Sequence, residues 1–145
     1  MRLWHYKLLP YLPDAQFKGQ LRELVAIMHD LKNKGKTNHL LINRVMDFTP
    51  RNLIGYFMLY NREYQYRYEK EISPKILDDF WELGVDLPII VRPFEGWHCY
   101  EYLRVCMANL YEKHFFGIGK SRITDEEWQV LLDGYKAITG EEYKI

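Results

Sequence analysis

Three places in this chain put a helix-capping residue where a helix is ready to begin: Thr49-Pro50, Ser73-Pro74 and Thr124-Asp125-Glu126-Glu127. Proline in a first helical turn forfeits no hydrogen bond, and a threonine with a glutamate three residues on can satisfy two orphan backbone donors reciprocally. The hydrophobic spacing agrees. Phe17, Leu21, Leu24, Met28 and Leu31 recur at intervals of four and three, while Leu53, Tyr56, Phe57, Tyr60 and Tyr64 share one side of a later segment. The expected fold is therefore all-α, a compact bundle of about five to six helices whose N-terminal segment packs against the first and third.

Taken in order, Asp14 is expected to cap the first helix, and Gly35 to end it inside the basic loop Lys32-Asn33-Lys34-Gly35-Lys36. Leu40 to Met46 supplies a second helical turn or two, a long third helix opens at Pro50, and a fourth runs from Pro74 through Leu83 to Gly84. Residues 85–96 read as a proline-containing connection and Trp97 to Lys113 as helix. The last helix follows Thr124, with Trp128, Leu131, Leu132 and Tyr135 turned inward. No internal repeat interrupts this plan.

At 145 residues, with 48% hydrophobic and 16% aromatic side chains, the chain has material for one core and reads as a single domain, 1–145. No run of about 18 apolar residues is present, and Met1 to Pro13 is too short and too soon broken by proline for a signal peptide, so the expected compartment is the cytoplasm and no membrane partner is expected. Cys99 and Cys106 sit seven apart in a helical segment, roughly 10 Å between Cα atoms, which is too far to bridge. The formal net charge of zero hides a polarity. Residues 1–62 hold ten Lys/Arg against four Asp/Glu, and residues 63–145 hold ten against sixteen. A polyanion would be drawn to the first half; alternatively, the surface charge is merely uneven.

On the first helix, with the Phe17 stripe inward, Gln16, Gly19, Gln20 and Glu23 fall on one polar flank. Glu23 then borders the core, where partial desolvation suits a carboxylate to acid/base work, while Arg22 beside it offers a fixed cation for phosphate and Gly19 leaves room for a ligand. The plainer alternative is a solvated Arg-Glu pair on an exposed face.

Met1-Arg2-Leu3-Trp4-His5, followed by Gly19-Gln20-Leu21-Arg22-Glu23-Leu24, resembles the pyrimidine-dimer DNA glycosylase family, the endonuclease V type of phage and its bacterial relatives. The lysine-glycine loop Lys34-Gly35-Lys36 is similar to the family's basic loop, and a weaker likeness runs from Gly55-Tyr56 to Gly84. The likeness spans about the first 85 residues, and residues 85–145 form a divergent, more acidic helical extension in which Tyr135-Lys136 and Tyr143-Lys144 echo the family's aromatic, basic tail. The resemblance implies a glycosylase with abasic-site lyase activity acting on damaged double-stranded DNA, metal-independent and without a cofactor. In it the terminal α-amine, here of Met1, attacks the sugar C1′ and forms a Schiff base assisted by Glu23. Arg2, Arg22 and the lysine loop (Lys32, Lys34, Lys36) are the implied DNA contacts, His5 is a further candidate contact from its place four residues after Met1, and a monomer is expected.

The chemistry is coherent, because an α-amine has an ordinary pKa of about 7.7 to 8.0 and is partly free at neutral pH. Bulky Arg2 should protect Met1 from removal; without Met1, the amine would be that of Arg2. The divergent C-terminal third leaves open a pyrimidine dimer, an abasic site or another damaged base as substrate. The competing reading is a non-catalytic nucleic-acid-binding or protein-interaction module on the same scaffold. His5 either touches phosphate or tunes the amine, or else packs as a hydrogen-bonded histidine beside Trp4. Tyr56, Tyr60, Tyr64, Tyr66 and Tyr68 stack on bases or form core and rim. The five histidines and two cysteines lack metal-ligand spacing, His98-Cys99 being the nearest approach.

Overall fold

The computed structural model describes residues 2–33, 40–83 and 90–145. Among them lie six α-helices, α1 (Asp14–Asn33), α2 (Leu40–Met46), α3 (Pro50–Tyr68), α4 (Pro74–Trp81), α5 (Tyr100–Phe115) and α6 (Asp125–Thr139), with 3₁₀ helices at Tyr6–Tyr11 and Gly119–Ser121. The described residues contain no strand, so the all-α bundle is the architecture found. None of the described helices is long and apolar enough to cross a membrane.

The core is built where the spacing places it. Phe17, Leu24, Ile27 and Met28 of α1 meet Leu53, Tyr56, Phe57 and Tyr60 of α3, all buried. Phe17 stacks on Tyr60 with ring centroids 4.3 Å apart, and Phe57 on Phe80 of α4 at 3.9 Å. Each such ring contributes roughly 1.5–3 kcal/mol on leaving water. Leu103, Cys106, Met107 and Leu110 of α5 close the other side with Leu131 of α6. The opening residues Leu3, Trp4, Leu8 and Leu9 are buried among these helices, so the N-terminal segment is a core element.

The capping box of α6 is complete, with Glu127 N–H donating to Thr124 Oγ1 at 3.1 Å and Thr124 N–H to Glu127 Oε1 at 2.9 Å. Gly134 lets α6 press on the first 3₁₀ helix, since a Cβ there would lie 2.4 Å from Tyr11 Cγ. Three boundaries differ from expectation, and the simplest is the end of α4 at Trp81, short of Leu83, which falls in the turn that follows. Pro13 rather than Asp14 caps α1, because the Pro13 carbonyl accepts the Phe17 N–H at 2.9 Å. Asp14 instead opens the first turn as an acid that favours the helix dipole, bonded by the Tyr68 hydroxyl and paired with Lys18 at 3.1 Å. Likewise α5 starts at Tyr100, not Trp97. The Phe94 carbonyl accepts both the Trp97 and His98 N–H groups, at 2.9 and 2.8 Å, closing a turn in which Phe94 and Gly96 take positive φ of 58° and 93°. The Gly35 helix stop and residues 84–89 of the connection lie outside the described residues.

Candidate active site

Residues 2–4 are held by their main chain. Gln20, one turn before Glu23 on α1 and only 1% exposed, accepts the Trp4 N–H at 2.8 Å and the Tyr56 hydroxyl at 3.2 Å through Oε1. Its Nε2 donates to the Arg2 carbonyl at 2.9 Å and to Glu23 Oε2 at 3.3 Å. Both amide donors and the carbonyl oxygen of this buried side chain thus have partners, although the Tyr56 hydroxyl has one proton to give and lies closer to the Trp4 carbonyl. The Tyr56 hydroxyl, from α3, also donates to the Trp4 carbonyl at 2.6 Å, and Tyr102, from α5, donates to the Leu3 carbonyl at 2.6 Å. Burial raises the pKa of both phenols, so they stay protonated donors.

This grip delivers the main chain of Arg2 to Glu23. The Arg2 backbone N–H donates to Glu23 Oε2 at 2.8 Å, across 21 residues. Glu23 is half-buried, at the rim of the core where the helical spacing puts it. Arg22 is exposed, and a Cβ added at Gly19 would meet only an Arg22 guanidinium nitrogen, at 3.6 Å. No packing contact therefore demands glycine at that position. Arg2 lies half-buried with its guanidinium 5.6 Å from the centre of the Trp4 ring.

His5 takes the packed arrangement and not a phosphate-facing one. It is 1% exposed, its Nδ1 accepts the Lys7 N–H at 3.1 Å to cap the first 3₁₀ helix, and burial lowers its pKa to about 4. A neutral, enclosed ring cannot serve as a phosphate cation. His98 stands beside it, with ring centroids 5.2 Å apart. Its Nδ1 accepts the Tyr6 N–H at 3.2 Å, and burial, reinforced by His5, lowers its pKa to about 2. His98 is thus a packing histidine, and among the described residues no three His, Cys, Asp or Glu side chains converge as a metal cluster would. Cys106 is buried with its thiol pushed up to about 11, and both cysteines are free.

Lys32 is likewise committed. Its ammonium pairs with Glu82 at 2.9 Å and Asp79 at 3.6 Å, tying the end of α1 to α4, so a phosphate would have to displace two carboxylates. Lys34, Lys36 and Met1 lie outside the described residues. Of the five tyrosines on α3, Tyr56 and Tyr60 are core, Tyr64 and Tyr68 form its rim, and Tyr66 is 81% exposed.

The structure thus joins Arg2 and Glu23, leaves Arg22 at the surface beside them, and removes His5 and Lys32 to structural duties. Gln20 and Tyr102 are contributors that the sequence does not single out as site residues, and Tyr56 contributes by holding the Trp4 carbonyl, not by stacking on a base. Gln20 was within reach, three residues from Glu23 on the same flank; Tyr102 carries no local signal. A family model described as pyrimidine dimer DNA glycosylase matches residues 1–75. No curated protein and no solved structure matches the chain.

Proposed function

The chain belongs to the pyrimidine dimer DNA glycosylase family, and from that premise we propose that it excises a damaged base and then cleaves the abasic strand, with the Met1 α-amine as nucleophile and Glu23 as acid/base. The observation that carries this reading is the Arg2 N–H bond to Glu23 Oε2 at 2.8 Å. Three covalent bonds, spanning less than about 4 Å, separate that nitrogen from the α-amine of a chain starting at Met1. A chain that starts at Met1 therefore carries its amine within roughly 7 Å of the carboxylate oxygen, and rotation about the Met1 bonds that shortens this to hydrogen-bond or one-water reach allows the proton transfer.

The amine lone pair attacks C1′ as the bond from C1′ to the base breaks and the base departs with its electron pair. Loss of a proton from the nitrogen and opening of the sugar ring leave an iminium ion. The Glu23 carboxylate offsets the positive charge growing on the sugar, then takes a proton from C2′ as the C3′–O bond breaks. Hydrolysis returns the amine. Arg22, exposed, and Arg2, half-buried, hold the flanking phosphates, and the basic loop at Lys34 and Lys36 adds affinity that is independent of sequence and weakened by salt.

Borohydride reduction on an abasic or UV-irradiated duplex tests this directly. A covalent protein–DNA adduct is expected, strongly reduced in Glu23→Gln and abolished when one residue is added before Met1. Undiminished trapping by the extended protein would sink the assignment of the nucleophile. No adduct from the unmodified protein on any damaged duplex would favour the non-catalytic module.

A further inference from the structure

The loop joining α5 to α6 displays apolar side chains that a folded chain ordinarily hides. Phe116 is 73% exposed and Ile118 is 85% exposed, and Lys120 and Arg122 stand exposed beside them. The display is built rigidly. A Cβ at Gly117 would lie 2.0 Å from the Lys113 carbonyl oxygen, so only glycine allows the chain to turn so tightly off α5, and Gly119 takes a φ of 72° that glycine tolerates freely. The Arg122 N–H donates to the Gly119 carbonyl and the Ile123 N–H to that of Lys113, each at 3.3 Å. Ile123 itself is fully buried and pins the loop's end.

The loop is also fastened to the helix that carries Glu23. Gln16, only 8% exposed, donates from Nε2 to the Ser121 carbonyl at 2.9 Å. Gln16, Gln20 and Glu23 fall on one flank of α1, and seven residues of helix advance about 10 Å, the length of roughly three base-pair steps. Between Gln16 and Glu23 that flank carries Gly19, and the Arg22 guanidinium folds back to within 3.6 Å of the Cβ position there, so the side chain standing between the loop and Glu23 is a cation that suits a phosphate. Of the acids that follow, Asp125 stands 3.6 Å from His114 Nε2 and Glu127 is occupied by the capping box, while Glu126 is exposed in the same turn.

We propose that this loop is a second contact for duplex DNA. Phe116 and Ile118 press on sugar and base edges in the minor groove about three steps from the lesion, and Lys120 and Arg122 neutralise the phosphates on either side. The proposal rests on the reading that the α1 flank at Glu23 faces DNA, but not on the chemistry assigned to Met1. Fixing an apolar probe at a set distance from the carboxylate would brace the duplex while the damaged nucleotide leaves the stack.

The test measures binding of a lesion-containing duplex, longer than the protein's footprint, by fluorescence anisotropy across a salt series. Lys120→Gln/Arg122→Gln should weaken binding at least tenfold at low salt and lower the slope of log K against log salt by about 1.8, the value for two phosphates. Phe116→Ser/Ile118→Ser should weaken binding with the slope unchanged, and its thermal melt should match the parent, since the replaced side chains are exposed. Both variants should trap as well as the parent on an abasic oligonucleotide too short to reach the loop. Parental affinity and salt slope in both variants would overturn the proposal, as would a self-associating parent that becomes monomeric on Phe116→Ser/Ile118→Ser with its DNA affinity intact. Failure of trapping in every protein, with binding lost as described, would remove the Met1 chemistry and leave the loop contact standing.

Discussion

Tyr102 donates its hydroxyl to the Leu3 carbonyl at 2.6 Å across 99 residues, so a helix from the far half of the chain completes the wall that holds the opening residues beside Glu23. Tyr102→Phe keeps the ring and removes only the donor, leaving a buried carbonyl unpaired. The expected loss is about 1–3 kcal/mol in urea-denaturation stability. Borohydride trapping should fall as well, because the segment that carries the amine is less well held; unchanged stability would show that the hydroxyl bond is not made.

Gln20 sustains more of the grip, and its removal should cost more. Gln20→Leu preserves bulk but strands the Trp4 N–H and the Arg2 carbonyl. Two orphaned buried groups predict a loss of about 2–5 kcal/mol. A loss no larger than that of Tyr102→Phe would mean that residues 2–4 find other partners, and the urea midpoint decides between these outcomes.

Acid should destabilise the protein through its buried imidazoles. His5 and His98 fall from the ordinary 6.5 to about 4 and about 2 in the folded state. Between pH 6.5 and about 4 the unfolded chain takes up two protons that the folded one excludes, so stability is lost as pH falls and this contribution is flat above that window. The slope approaches about 3 kcal/mol per pH unit, on the order of two full proton linkages. His98→Asn, whose side-chain oxygen can still accept the Tyr6 N–H, should roughly halve the slope in urea titrations across that range.

The close seat of α6 on the first 3₁₀ helix makes a helix-favouring substitution unfavourable. Gly134→Ala improves intrinsic helix propensity by about 1 kcal/mol, yet its methyl would stand 2.4 Å from Tyr11 Cγ. The ring must move, and overpacking of this kind typically costs about 1–3 kcal/mol. A lower melting temperature than the parent's is expected, and a higher one would contradict the packing.

Sequence and structure agree where the determinants are local. The capping box at Thr124 forms both of its bonds, Pro50 and Pro74 open α3 and α4, and the Phe17 stripe is buried as its spacing requires. They part where a distant residue decides. Lys32 resembled one cation of a basic loop, but its partners Asp79 and Glu82 lie far downstream. Helical periodicity runs back to Trp97, but the turn at Phe94 claims the Trp97 and His98 N–H groups before α5 begins. At the site, Glu23 and Gln20 were legible as one flank of a helix. That the flank receives the main chain of residues 2–4, with Tyr56 and Tyr102 closing over it, follows only from tertiary packing.

The anchors on residues 2–4 engage peptide groups, not side chains, at Arg2, Leu3 and Trp4 alike. Every amino acid except proline offers the same N–H and C=O. Leu3 and Trp4 are fixed by burial as well, but at Arg2 the main chain is held whatever side chain it carries, so variation at that one position can reshape what meets a lesion without moving the atom proposed to react.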